Sequence, residues 1–161
     1  MTEPNDTHHT AKYLEQAVEL ATRNVGAGGG PFGALVVTAD GRVHEGVNRV
    51  TLDNDPTAHA EVVAIRAAAA AIANYDLQGA VLYASCEPCP LCLASALWAR
   101  IDRVYFAADR HGAADAGFDD AVFYEYFDGT RPELLPVTRS DIPSSHAPFQ
   151  AWGDFAGRKE Y

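Results

Sequence analysis

Two short motifs limit what this chain of 161 residues can fold into: His59-Ala60-Glu61, and Pro88-Cys89-Pro90-Leu91-Cys92 about thirty residues further on. A histidine and two thiols can serve one purpose only if the chain brings them to one point. Cys89 and Cys92 stand three apart, so on a helix they share a face. Pro88 and Pro90 suit a helix start, because the first turn has no use for the missing N–H. The alanine-rich stretch Ala58 to Ala73 has strong helix propensity, and His59 opens it. The fold must therefore set two helix N-termini side by side, which a sheet covered by helices can do.

The rest of the chain supplies such a sheet. Tyr13, Leu14, Ala17, Val18 and Ala21 recur at helical spacing, and the stretch Gly26 to Gly30 ends that helix. Ala34–Thr38 and Arg42–Val50 read as strands joined by a hairpin turn at Asp40-Gly41. Ala80–Ala84 and Arg103–Ala107 read as short buried strands. Thr57 is a candidate N-cap for the first metal-bearing helix, and Leu91–Arg100 is the body of the second. The order α-β-β-α-β-α-β predicts a three-layer α/β/α domain over residues 10–161, with residues 1–9 a flexible polar tail. No repeat or linker marks a second domain.

Two thiolates and an imidazole suit zinc, one ion per chain. Three protein ligands leave a fourth tetrahedral position for water, the mark of a catalytic site. Zinc lowers the pKa of bound water to around 7. Glu61 stands two residues after His59 and is placed to move that water's proton rather than to ligate the ion. A carboxylate in this role needs a raised pKa. Cys86, the third cysteine, reads as a buried structural residue, since a fourth thiolate would close the site.

Composition narrows the partners. A net charge of −10 leaves no run of Lys and Arg for phosphate neutralisation, so no nucleic-acid surface is expected. Three cysteines within seven residues fit metal ligation in a reducing compartment better than a disulfide framework. The polar N-terminus lacks a signal-peptide core, and no apolar run approaches the ~20 residues of a membrane span. A cytoplasmic protein acting on a small ligand is expected.

The paired motifs form the H-x-E…P-C-x-x-C signature of the zinc nucleobase deaminases. More of the chain resembles the bacterial guanine deaminases of the cytidine deaminase superfamily. The resemblance rests on Gly30-Pro31-Phe32-Gly33-Ala34, Asn54 to Val62, Ser85 to Pro90, Ala116-Gly117-Phe118-Asp119-Asp120, and the tail from Pro148 through Trp152 to Tyr161. The first three segments are shared with the transfer-RNA adenosine deaminases. The last two discriminate.

The resemblance implies a cytidine deaminase-like fold with a mixed five-stranded sheet. It also implies a homodimer in which the C-terminal segment, residues 146–161, exchanges between subunits and closes the active site. It implies hydrolytic deamination of guanine to xanthine and ammonia, with a metal-activated hydroxide as nucleophile and Glu61 as proton shuttle. His59, Cys89 and Cys92 would hold the zinc. Phe32 and Trp98 would sandwich the purine, Asn48 would hydrogen-bond it, and Ala60 would offer a backbone N–H. Asp120 would accept from the purine edge and help move protons, and Tyr161 would cap a neighbouring site. Glu125 and Glu133 are candidates for a second proton carrier. The zinc motif alone leaves other readings open: a related ring such as ammeline, guanosine or cytosine, a transfer-RNA adenosine, or a non-catalytic zinc module.

Overall fold

The computed structural model describes residues 4–161. Its first element, α1 (Pro4–Gly26), starts earlier than the periodicity predicts. Pro4 is the first helical residue, where proline is pre-organised rather than disruptive. The tail expected over residues 1–9 is therefore helical from Pro4, and residues 1–3 lie outside the described residues. Four strands follow, with the helices between them: β1 (Gly33–Val37), β2 (Val43–Val47), a short α2 (Val50–Asp53), α3 (Ala60–Ile72), β3 (Val81–Cys86), α4 (Pro90–Trp98) and β4 (Arg103–Ala108). Beyond them come α5 (Arg110–Asp115), α6 (Ala121–Phe127), one 3-10 turn (Pro132–Leu134) and α7 (Ala147–Asp154).

The strands form one mixed sheet in the order β2-β1-β3-β4. The β1–β2 pair is the predicted antiparallel hairpin, with Val37 opposite Val43. Its turn is closed by Thr38, whose hydroxyl donates to Asp40 Oδ1 at 2.6 Å. β1 also pairs antiparallel with β3, while β3 and β4 run parallel, joined through α4. The sheet has four strands among the described residues, not five. After β4 the chain turns into α5, because the Asp109 carboxylate accepts from Gly112 N–H at 2.9 Å and caps a helix. The aromatic run Ala121–Phe127 then continues as α6 instead of returning as a strand.

Alternation along the strands sorts the core into two layers. Leu35 and Tyr83 face α1, where they meet Leu20, Tyr13 and Leu14. Val36, Ala34 and Leu82 face the other way, onto Ala60, Ala64 and Ala68 of α3 and Ala96 of α4. Leu35 and Leu82 are both wholly buried, and burial of such a side chain stabilises the fold by about 2–3 kcal/mol. The small residues of α3 let it lie close on β2. A Cβ added at Gly46 would stand 2.5 Å from the Ala64 nitrogen, so the contact requires glycine there. No described helix is long and apolar enough to cross a membrane.

Candidate metal centre and active site

α3 and α4 begin at the same end of the sheet, beyond the carboxyl ends of the parallel strands β3 and β4, where α/β sheets commonly place their sites. His59 is the N-cap residue of α3 and Cys89 that of α4. Both are extended in backbone, with φ near −67° and −68°. Thr57 does not cap α3. Its hydroxyl instead donates to Asp55 Oδ1 at 2.7 Å, closing the turn before the helix. Cys92, one turn into α4, is wholly buried.

The three donor atoms converge. His59 Nδ1 lies 3.5 Å from Cys89 Sγ and 3.5 Å from Cys92 Sγ, and the sulfurs are 3.6 Å apart. A tetrahedral zinc at its usual bond lengths needs its donors about 3.8 Å apart between sulfurs and about 3.5 Å between sulfur and nitrogen. The set therefore fits zinc, and it is the one such group of three or more among the described residues. The electrostatics agree. The Cys89 thiol is drawn down to about 4, chiefly by the hydrogen bond from Cys92 and then by His59. Cys92 is pushed up, because it holds the proton between the two sulfurs and is buried. The Cys89 sulfur in turn raises His59. Donors competing in this way for protons are a set suited to a cation. Both helix N-termini add positive potential favouring thiolate.

Glu61 sits in the first turn of α3, buried at 7 % exposure. Its Oε2 is 3.3 Å from Cys92 Sγ, beside the donors. Burial raises its carboxyl above the usual range, the direction a proton carrier requires. Ala60 is the first residue of α3, so its N–H has no partner within the helix. Asp120, the residue before α6, interacts electrostatically with Cys89 and His59. Burial raises its carboxyl, and the Cys89 charge pushes in the same direction. Its Oδ1 is buried and has no hydrogen-bond partner among the described residues.

Phe32 and Asn48 are linked to each other and to the centre. Asn48 N–H donates to Phe32 O at 3.0 Å, and Arg49 N–H donates to Ala58 O, next to His59, at 2.9 Å. The Phe32 ring meets Phe118 edge-on at 4.8 Å, two residues before Asp120. Phe32 also walls a cavity of about 500 Å³ between α1 and α5, with Cys86 and Phe118 among its lining. Cys86 is not drawn into the metal set: its Sγ donates to Asp109 O at 3.5 Å, and burial pushes the thiol up to about 11.

Two residues expected around the purine lie elsewhere in the same chain. Trp98 ends α4, nine residues after Cys89, or about 13 Å along a helix. It is 61 % exposed, and its ring meets that of Tyr161 at 5.6 Å. Tyr161 also meets Tyr75 at 6.1 Å, and the Tyr75 hydroxyl donates to Glu160 O. Glu125 and Glu133 are both engaged by Arg131 on the surface. The sequence reading missed three supports of the site. Asn24 of α1 reaches the loop carrying Phe32 and the strand end carrying Asn48. Tyr124 of α6 donates to Pro88 O at 2.8 Å. Arg110 stacks on the Tyr124 ring at 4.3 Å and pairs with Glu87.

The profile of the cytidine and deoxycytidylate deaminase zinc-binding region matches residues 7–108, ending where β4 ends. The chain belongs to that family. The chain is a deaminase, a hydrolase acting on C–N bonds in cyclic amidines. Guanine deaminase of Bacillus subtilis is 48 % identical over 151 residues, covering 92 % of this chain and 97 % of its own. The X-ray structure of that guanine deaminase superposes with a TM-score of 0.89 at 47 % identity, covering 94 % of this chain and 98 % of that one. Guanine deaminase from Nitrosomonas europaea superposes at 0.63 with 28 % identity, over 74 % of this chain and 66 % of its own. A tRNA-specific adenosine deaminase of Haemophilus influenzae is 38 % identical over 115 residues, covering 68 % of this chain and 66 % of its own.

Proposed function

We propose that the protein is a cytoplasmic, zinc-dependent guanine deaminase that converts guanine and water to xanthine and ammonia. The observation that carries the substrate reading is the Asp120 carboxylate, which has a buried oxygen lacking a protein partner and feels the charges of Cys89 and His59. Guanine presents N–H donors along one edge, and an acceptor without a protein partner matches them. The likeness to guanine deaminase along nearly the whole chain supports the same substrate.

His59, Cys89 and Cys92 would hold a zinc ion, which when bound would acidify the attacking water. Glu61 takes the proton of the attacking water as oxygen adds to the amino-bearing ring carbon. It passes that proton to the adjacent ring nitrogen, then carries the hydroxyl proton of the adduct to the amine, so the C–N bond breaks, ammonia departs and the new C=O of xanthine remains. Phe32 offers one face of a stack. Asn48 Oδ1 already accepts from Val50 N–H at 3.3 Å, which turns its Nδ2 outward as a donor to a purine acceptor. The Ala60 N–H adds a second fixed donor.

The working unit is a homodimer with exchanged C-terminal segments. Within one chain Trp98 and Tyr161 pair with each other, about a helix length from the donors. Large apolar side chains are exposed elsewhere on the chain too, among them Leu97, Phe106, Phe123 and Phe127. The Trp98–Tyr161 pair closes the purine site of the second subunit.

Ammonia release from a panel of guanine, guanosine, ammeline, cytosine and transfer RNA tests the substrate. Guanine is expected to react fastest, and preference for another member would replace this reading. Mixing chains carrying Glu61→Gln with chains lacking Tyr161 tests the exchange. Mixed dimers should regain part of the guanine turnover that each parent lacks, and no recovery would count against shared sites.

A further inference from the structure

We infer that Asn24 is a positioning residue of the purine pocket: one buried side-chain amide on α1 sets both the loop that carries Phe32 and the strand end that carries Asn48. The inference rests on the reading that Phe32 and Asn48 hold the purine. Asn24 itself is 6 % exposed.

Its Nδ2 donates to Gly30 O at 2.8 Å and to Asn48 O at 2.8 Å, so both amide hydrogens are used. Gly30 O also receives Phe32 N–H at 2.9 Å, and Phe32 O receives Asn48 N–H at 3.0 Å. The four residues thus form a closed circuit in which Asn24 alone contributes a side chain. The Asn24 main-chain oxygen accepts Gly29 N–H at 2.9 Å, so the same residue also ends α1 and turns the loop. The loop is pressed flat on this circuit. A Cβ at Gly29 would stand 2.7 Å from Asn48 O and would collide with the Asn24 amide.

Both acceptors are backbone carbonyls, and no neighbouring side chain duplicates the donor. Without Asn24, the buried Asn48 carbonyl loses its partner, Gly30 O keeps only the Phe32 N–H, and nothing ties the Gly30–Phe32 loop to the Asn48 carbonyl. The donors at the metal lie on α3 and α4, and the hydrogen bond from Arg49 N–H to Ala58 O is their link to this circuit. Loss of Asn24 should therefore weaken purine binding and spare the metal.

The test is made on the purified zinc-loaded protein with Asn24→Asp, Asn24→Ala, Asn48→Ala and the Asn24→Ala/Asn48→Ala pair. Asn24→Asp keeps the shape but sets an acceptor against two carbonyls. Asn24→Ala carries the same expectation without the repulsion, should the aspartate fail to fold. Each Asn24 variant should retain one zinc per chain. The KM for guanine should rise about tenfold or more while kcat per zinc changes by less than about threefold. Xanthine binding, measured by calorimetry, should weaken in parallel. The double variant should lose more than Asn48→Ala alone but less than the product of the two single effects, because Asn24 acts partly through Asn48 and partly through the Phe32 loop.

A folded Asn24 variant with unchanged KM, or one whose loss is confined to kcat in proportion to lost zinc, would overturn the inference. The two readings fail differently. Wild-type protein that forms no xanthine from guanine overturns both. Normal wild-type turnover with an unmoved KM in Asn24→Asp overturns the positioning role alone.

Discussion

Glu61 differs from its neighbours in what its removal should do. It lies 3.3 Å from the Cys92 sulfur yet is not among the three converging donors. Glu61→Gln keeps shape and burial but cannot carry a proton. Zinc content by elemental analysis should stay at one per chain, and the melting curve should hold. Turnover should fall by about 10²–10⁴, the usual worth of a positioned acid–base group. Unchanged turnover would remove Glu61 from the proton path. This residue and the donors were legible from sequence because their chemistry and spacing are short-range: two thiols on one helix face, and a carboxylate two residues from the histidine. Asn24 was not. A single asparagine on an amphipathic helix carries no local signal, and its role arises from a partner 24 residues away. Trp98 was read onto the purine with Phe32, but the length of α4 sets it apart from the donors of its own chain.

The elements hold these residues through a few close contacts. α3 carries His59 and Glu61, and its seat on β2 depends on the missing side chain at Gly46. Gly46→Ala should push α3 outward, destabilise the fold by about 1–3 kcal/mol in chemical denaturation, and lower zinc affinity. Stability and zinc binding equal to wild type would show that β2 can yield. α6 is held differently. The Tyr124 hydroxyl donates to Pro88 O beside Cys89, and the ring lies under Arg110, itself paired with Glu87. Tyr124→Phe should cost about 0.5–1.5 kcal/mol and lower kcat/KM for guanine by loosening Asp120 one turn away, with zinc content unchanged. A variant matching wild type in both would mean that Asp120 is held by other contacts. The four observed strands could be read from their apolar runs and the Asp40-Gly41 turn. The fifth strand came from resemblance, and the cap at Asp109 redirects the chain before it can form. α6 reads poorly because Val122, Phe123, Tyr124, Tyr126 and Phe127 favour strands in isolation. Its helix is fixed by tertiary contacts of Tyr124 and by the turn that follows.

For the whole molecule, the metal centre is complete within one chain, whereas the proposed purine enclosure is not. The donors, Glu61 and Asp120 come from α3, α4 and the start of α6 of a single subunit. Trp98 and Tyr161 meet at a tilt, and both are exposed. The division explains why the zinc motif alone specifies the reaction and leaves the substrate open. The family profile stops at residue 108, while the likeness to guanine deaminase continues into the helices and tail beyond it. Reaction type on this account resides in the first part, and substrate choice in Phe32 and Asn48 of that part together with Asp120 and the tail of the second. The most direct measurement is xanthine formation from guanine by the intact protein before and after zinc is stripped by a chelator and then restored. Turnover should vanish with the metal and return in proportion to zinc, reaching its full value at one ion per chain. Xanthine formation by the metal-free protein, or none by the fully zinc-loaded protein, would contradict the account.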